Sequence, residues 1–231
     1  MRVHPNWSHL LMLACLAGFA WPAAAQTPPS VSELAAYRGV HAAASNGDVS
    51  ALPALIRERA DLNARDGHGR TAVHIAAHRG HPEFVRALAA AGADMTAKDS
   101  RRYDIITIAA VRDDAKMVAL AASLGADPRA ITSPYDGTAL IAAAHLGHAE
   151  VVKALIAAKA PLDHVNNLGW TAAIEAVILG DGGSRHQATL QALIDAGANM
   201  RLADREGATP LDHAKRRGYV AMIGMIEKAR K

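Results

Sequence analysis

The sequence predicts an all-α chain made by stacking one short helical unit, and three observations point there. Aromatic residues are only 4% of the 231 residues while alanine is abundant, a balance suited to closely packed short helices rather than to a sandwich of bulky β-formers. Hydrophobic residues make up 51% and charged residues 20%, which is enough apolar material for a core and excludes general disorder. The third observation is self-similarity. Residues 40–47 (VHAAASNG) and 73–80 (VHIAAHRG) match 33 positions apart, and residues 140–147 (LIAAAHLG) repeat the theme two periods on. A second register runs through Ala60-Asp61, Gly92-Ala93-Asp94, Gly125-Ala126-Asp127 and Gly197-Ala198-Asn199. A period between 20 and 50 residues specifies a solenoid or another array.

The first 25 residues stand apart from that pattern. Arg2, His4 and His9 precede an apolar run over residues 10–21, closed by Pro22 and followed by three alanines before Gln26. A basic start, a short apolar centre and a small-residue site read as an export signal cleaved after Ala25. The competing reading, a retained anchor, needs an apolar stretch of ~20 residues. Cys15 is the only cysteine, and the residues before it are a poor lipidation box. Cleavage at Ala25 leaves a mature chain with no thiol, compatible with an oxidising compartment. The expected location is periplasmic or secreted. Residues 26–30 form a short linker.

Within the repeat each position has a physical task. Thr71 and Thr209 precede helical runs and can cap their free amides, and Pro210 fits a first turn that needs no N–H. Gly47, Gly80, Gly147 and Gly218 fall where first helices stop. Paired alanines at 43–44, 76–77, 109–110 and 143–144 let neighbouring helices approach. Leu55, Ile56, Leu88, Leu155, Ile156, Leu193 and Ile194 give the second helices an apolar stripe.

The best copy is GRTAVHIAAHRGH at residues 69–81, continuing through Phe84, Val85 and Leu88 to Gly92-Ala93-Asp94, and it resembles the ankyrin repeat family. The resemblance implies helix–turn–helix units joined by β-hairpin loops. About six units follow, at 31–65, 66–98, 99–132, 133–165, 166–203 and 204–231, the outer two acting as caps with polar ends. It also implies protein binding through hairpin tips and the concave face of the first helices. On that surface the tips supply His68, Arg70, Arg101, Arg102, Tyr103, Tyr135, Leu168, Trp170 and Arg205. The first helices supply His78, Arg79, Val111, Arg112, His145, Leu146, Ile178, Leu179, Arg216 and Arg217. The candidate binding residues are Arg70, Arg79, Arg101, Arg102, Tyr103, Arg112, Tyr135, Leu168 and Trp170, a mixture of arginine and aromatic side chains of the kind that dominates interface energetics.

Several positions depart from the family pattern. In the third unit Arg102 replaces the hairpin glycine, Asp104 the threonine, Thr107 the histidine and Asp113 the helix-ending glycine, which predicts a unit of lower local stability. Lys159 and Pro161 replace glycine and aspartate in the fourth. Thr171 and Thr209 are 38 residues apart, so the fifth unit holds an insertion at residues 181–185, expected to be a flexible loop.

Chemistry other than binding finds little support. The sequence lacks a G-x-S-x-G elbow, an H-E-x-x-H pair and a phosphate loop with its lysine, so no catalytic role and no cofactor are expected. Asp113 and Asp114 form an exposed carboxylate pair. With twelve histidines, a metal or small-ligand handling protein of the periplasm is the alternative reading. Against it, His41 and His74 occupy the family's structural position, where the ring bonds nearby backbone. The net charge of +3, from 25 basic and 22 acidic residues, does not call for nucleic acid. The expected partner is another exported protein with an acidic surface, bound by a monomer without stable membrane insertion.

Overall fold

The computed structural model describes residues 26–229. The signal-peptide reading, Cys15 and the cleavage site at Ala25 lie outside the described residues, apart from Gln26 on its far side. Among the described residues thirteen α-helices follow one another, with no strand. A short helix α1 (Val31–Ala36) precedes six helix pairs. These are α2 (Gly39–Asn46) with α3 (Leu52–Arg57), α4 (Ala72–Arg79) with α5 (Pro82–Ala90), and α6 (Ile105–Val111) with α7 (Ala115–Ser123). The series continues as α8 (Ala139–Leu146) with α9 (Ala149–Ala157), α10 (Ala172–Ile178) with α11 (Ser184–Asp195), and α12 (Pro210–Arg217) with α13 (Val220–Ala229).

Helices this short are marginal alone, so tertiary packing has to hold them. One continuous apolar core runs the length of the stack, with Ile75, Phe84, Leu88, Ile105, Ile108, Leu140, Leu155, Ile174 and Leu190 fully buried. Each such side chain contributes about 1.5–3 kcal/mol. The alanine pairs at 43–44, 76–77, 109–110 and 143–144 are buried as well, so the first helices stack closely.

The ends of the helices follow local chemistry. Thr138 and Thr171 accept from the amides of Ile141 and Ile174, at 3.4 and 3.2 Å. Thr209 and Asp212 form a reciprocal capping box with Pro210 at the first turn. In the third unit Asp104 takes the cap and accepts from Thr107 at 2.8 Å. First helices stop at Gly47, Gly80, Gly147 and Gly218 in the left-handed conformation. Where the repeat lacks glycine, the backbone does not change: Arg59, Arg102, Asp113, Asp136 and Lys159 all have φ between 53 and 71°. Each accepts a left-handed conformation that costs an L-residue roughly 1–2 kcal/mol.

The insertion at residues 181–185 is not the loose loop expected. It lengthens α11 to 12 residues and is gripped on several sides. The Tyr219 hydroxyl donates to Gly180 O at 2.9 Å, and a Cβ placed on Gly182 would lie 2.6 Å from the Tyr219 ring. The Gln187 amide donates to Gly182 O at 2.7 Å. His186 reaches His145 O at 3.0 Å, and Arg185 reaches Asp113 at 3.4 Å. Glycine at 180 and 182 is what allows the neighbouring rings to close down on this backbone.

Two substitutions separate these effects. Lys159→Gly relieves left-handed strain and is expected to raise unfolding free energy by about 0.5–1 kcal/mol. Gly182→Ala both strains the backbone and collides with Tyr219, and is expected to lower it by more than about 1 kcal/mol. Urea unfolding followed by circular dichroism measures both.

Candidate protein-binding surface

Five hairpins connect the helix pairs, and one five-position device builds each of them. The first residue is Asp66, Asp99, Ser133, Asn166 or Asp204. Its side chain accepts from the amides two and four residues later: for Asp66 these are His68 and Arg70, both at 2.9 Å. The same pair of bonds recurs at Asp99, Ser133, Asn166 and Asp204. The fourth residue has positive φ and turns the chain. Neighbouring tips are joined by backbone bonds, from Ser100 N to His68 O and from Asn167 N to Tyr135 O, both 2.9 Å.

This geometry decides which tip residues can meet a partner. The third position projects from the turn: His68, Arg101 and Tyr135 are exposed and Leu168 is half-buried. The fifth position immediately precedes the capping residue of the next helix and returns into the stack. Arg70 and Tyr103 are therefore 0% and 3% exposed, and neither belongs to the open surface expected of it. Burial pushes the Tyr103 hydroxyl up to about 12. Trp170, also at the fifth position, is half-buried, as Leu168 is. Arg102 is exposed but ion-paired with Asp136 at 2.9 Å, tying two hairpins together.

On the first helices Arg79, Arg112, Leu179, Arg216 and Arg217 are exposed and Leu146 is half-buried. His78 is not available there. Only 7% of it is exposed, and burial, together with the nearby positive charges, drives its imidazole down to about 3, so it is neutral.

Several of the histidines considered for a ligand are engaged with backbone. His74 accepts from the Thr71 amide at 3.1 Å, and its other nitrogen donates to Tyr103 O at 3.1 Å. His41 donates to Ala64 O at 3.0 Å. A second set crosses between units: His81 to Ser45 O at 3.1 Å, His148 to Ala110 O at 2.8 Å and His186 to His145 O at 3.0 Å. Among the described residues no group of three His, Cys, Asp or Glu side chains could hold a metal ion, and no helix is long and apolar enough to cross a membrane.

Arg70 instead centres a polar cluster that the repeat pattern does not announce. Its Nε donates to Asp66 at 2.7 Å and its Nη1 to Thr27 O at 2.8 Å. Its Nη2 donates to the Glu33 carboxylate and, at 3.1 Å, to the Tyr37 hydroxyl, which in turn donates to Asp66 at 2.7 Å. Residues 27–37 thus lie as a strap over the first hairpin. Burial opposes ionisation of Asp66, but hydrogen bonds from Tyr37, Arg70 and His68 outweigh it and hold the carboxyl at about 2. Glu33 is also held low, mainly by the Ser30 amide and hydroxyl, with Arg70 adding. Two signals in the sequence hint at it: Ser30 and Glu33 have capping-box spacing, and Asp66 sits four residues before Arg70.

The repeated helix pairs, the capped first helices and the hairpin row identify the family once set beside known proteins. A family model for ankyrin repeats (3 copies) matches residues 11–99, 40–132 and 106–204. The chain belongs to the ankyrin repeat family. An ankyrin repeat protein of Escherichia coli (strain K12), YahD, is 37% identical over 93 residues, which cover 40% of this chain and 46% of that protein; the match thus spans about half the length of this relative. An ankyrin repeat domain from Acinetobacter baumannii AYE shares the fold with a TM-score of 0.77 and 40% identity, over 83% of this chain and 97% of that one. A chain from the complex of the predatory endopeptidase Bd0816 of Bdellovibrio bacteriovorus with the immunity protein Bd3460 has the same fold. Its TM-score is 0.69 at 24% identity, over 83% of this chain and 98% of that one. The ankyrin repeat domain is a protein–protein interaction module, a binding scaffold.

The carboxylates of Glu33 in the strap and Asp66 beneath it predict the response of this cluster to acid. Both are depressed in the folded state, so their contribution is complete above their ordinary values of 3.8 and 4.5. It is lost as pH falls from there toward about 2, where Asp66 protonates. Hydrogen exchange at residues 31–37 should therefore lose protection across this window while α4 to α9 remain protected. Arg70→Ala, which leaves Asp66 without its cation, should cost about 3 kcal/mol at neutral pH by thermal unfolding.

Proposed function

We propose that this ankyrin repeat chain acts outside the cytoplasm as a docking or scaffolding module for another exported protein, bound through its hairpin tips and the concave face of its first helices. The observation that carries this reading is the mixed row at the third hairpin position. Cationic Arg101, aromatic Tyr135 and aliphatic Leu168 follow one another along neighbouring tips, the first pair tied by the Arg102–Asp136 ion pair and the second by the backbone bond from Asn167 N to Tyr135 O. Tyr135 is 41% exposed, with Ile131 and Val165 also exposed on the adjoining arms. An aromatic and aliphatic centre beside guanidinium groups has the make-up of an interface hot spot.

The arginines Arg79, Arg112, Arg216 and Arg217 on the first helices add positive charge to the same side and favour an acidic partner surface. The export signal read at residues 1–25 supports an extracytoplasmic setting, with cleavage after Ala25. The endopeptidase–immunity protein complex supports a folded protein as the class of partner.

Crosslinking and pull-down from the envelope fraction tests the assignment. The double variant Arg101→Glu/Tyr135→Ala should lose the captured partner by at least roughly tenfold, while Trp170→Ala, at a half-buried position, should lose less. Equal capture by wild type and the double variant would remove the tips from the interface. The N-terminal residue and mass of the recovered protein report cleavage: a start at Gln26 is expected, and a chain retaining Met1 would sink the export reading.

A further inference from the structure

The buried Arg70 has an uneven distribution of partners. Its Nε is committed within its own hairpin, to Asp66. Both Nη groups are reached by the strap, one by the carbonyl of Thr27 and the other by the carboxylate of Glu33, while the hydroxyl of Tyr37 also accepts from the latter. The strap therefore offers the arginine one carboxylate and one backbone carbonyl. Any extended or helical acidic segment carries the same two groups.

Little else holds the strap down. Helix α1 buries none of its six residues, and Val31 is 85% exposed. Elsewhere in the stack each helix is anchored by apolar side chains that only large-scale unfolding would expose. With Leu34 only half-buried, a segment held mainly by polar contacts opens at low cost, and a competing carboxylate can replace what it supplies. Tyr37 belongs to the body, with its ring stacked on His41 at a centroid distance of 5.5 Å. The first hairpin also stands in line with the others, through the bond from Ser100 N to His68 O.

We propose that residues 27–36 are a displaceable occupant of a carboxylate-binding site formed by Arg70, Asp66 and Tyr37, and that an acidic segment of the partner protein takes their place. This rests on the tips being the binding surface, and it extends the footprint to the first hairpin through exchange. The strap then sets a threshold: a partner gains the first hairpin only when its own carboxylate outcompetes Glu33. His68, exposed at the third position and 3.4 Å from Glu33, flanks the entry.

The test uses the chain's own segment as probe, so its result does not depend on capturing a partner. A fluorescein-labelled, N-acetylated peptide of residues 27–36 is titrated against purified wild type, E33Q and E33Q/R70A, followed by fluorescence anisotropy. Hydrogen exchange on the same samples reports α1 and the repeats separately. The expected result is a faster-exchanging α1 in E33Q with α4 to α9 unchanged. Peptide affinity should be roughly tenfold higher than for wild type, and it should vanish both in E33Q/R70A and for a peptide carrying glutamine in place of its own Glu33. An α1 that stays protected in E33Q overturns the displaceable strap. An open α1 with no peptide binding, or binding that survives loss of Arg70, overturns the carboxylate site. Should the proposal hold while no envelope partner is captured, the functional reading alone fails.

Discussion

A helix of eight residues ends in carbonyls that it cannot satisfy itself, and in this chain the donors come from the unit that follows. His81 serves Ser45 at the end of α2, His148 serves Ala110 in α6, His186 serves His145 in α8, and Tyr219 serves Gly180 just beyond α10. Each donor stands at or just before the start of a second helix, or within its first turn. The same approach that completes the preceding helix presses paired alanines together and seals the core. Polar satisfaction and apolar burial are thus one event, and neither survives without the neighbouring unit.

This dependence explains what could be read from the sequence and what could not. Periodicity is imposed by packing, so the alanine pairs, the helix-ending glycines and the threonine caps announced the helices, and the backbone keeps its course even where Arg102, Asp113 or Lys159 stands for glycine. The structural role of His74 was legible for the same reason. The direction of tip side chains was not. Arg70 and Tyr103 lie one residue before a helix cap, and only the closing of the hairpin shows that these two turn inward while Arg101 and Tyr135 stay exposed. The clustering of Arg70 with Glu33, 37 residues away, has no periodic signature, because the strap is not a member of the repeat. The insertion at residues 181–185 has the composition of a loop, and only the rings of His186 and Tyr219 show that its glycines are there for close approach.

The proposed binding surface has a graded make-up. Toward the first hairpin it is polar and already occupied, by Glu33 on Arg70. Through the middle it changes from arginine to tyrosine and leucine, and along the first helices arginines at the ends of α4, α6 and α12 flank Leu146 and Leu179 on α8 and beside α10. A partner matching this order would combine an acidic flank with an apolar centre. Rigidity in this recognition comes from hairpins locked by Asp66, Asp99, Ser133, Asn166 and Asp204, so side chains at the third position are held without partner-induced ordering, which lowers the entropic cost of binding.

The packed insertion of the fifth unit has a mechanical consequence. Stacked repeats ordinarily detach singly, since each touches only its neighbours. Here α11 and the turn before it lie against the fourth unit through His186, the sixth through Tyr219, and the third through Arg185 and Asp113. A load applied to the C-terminal end cannot peel units off in sequence without first breaking this clasp. Stretched from its ends, the chain should give way in a single large rip spanning the third to the sixth units, rather than in a sawtooth of individual repeats.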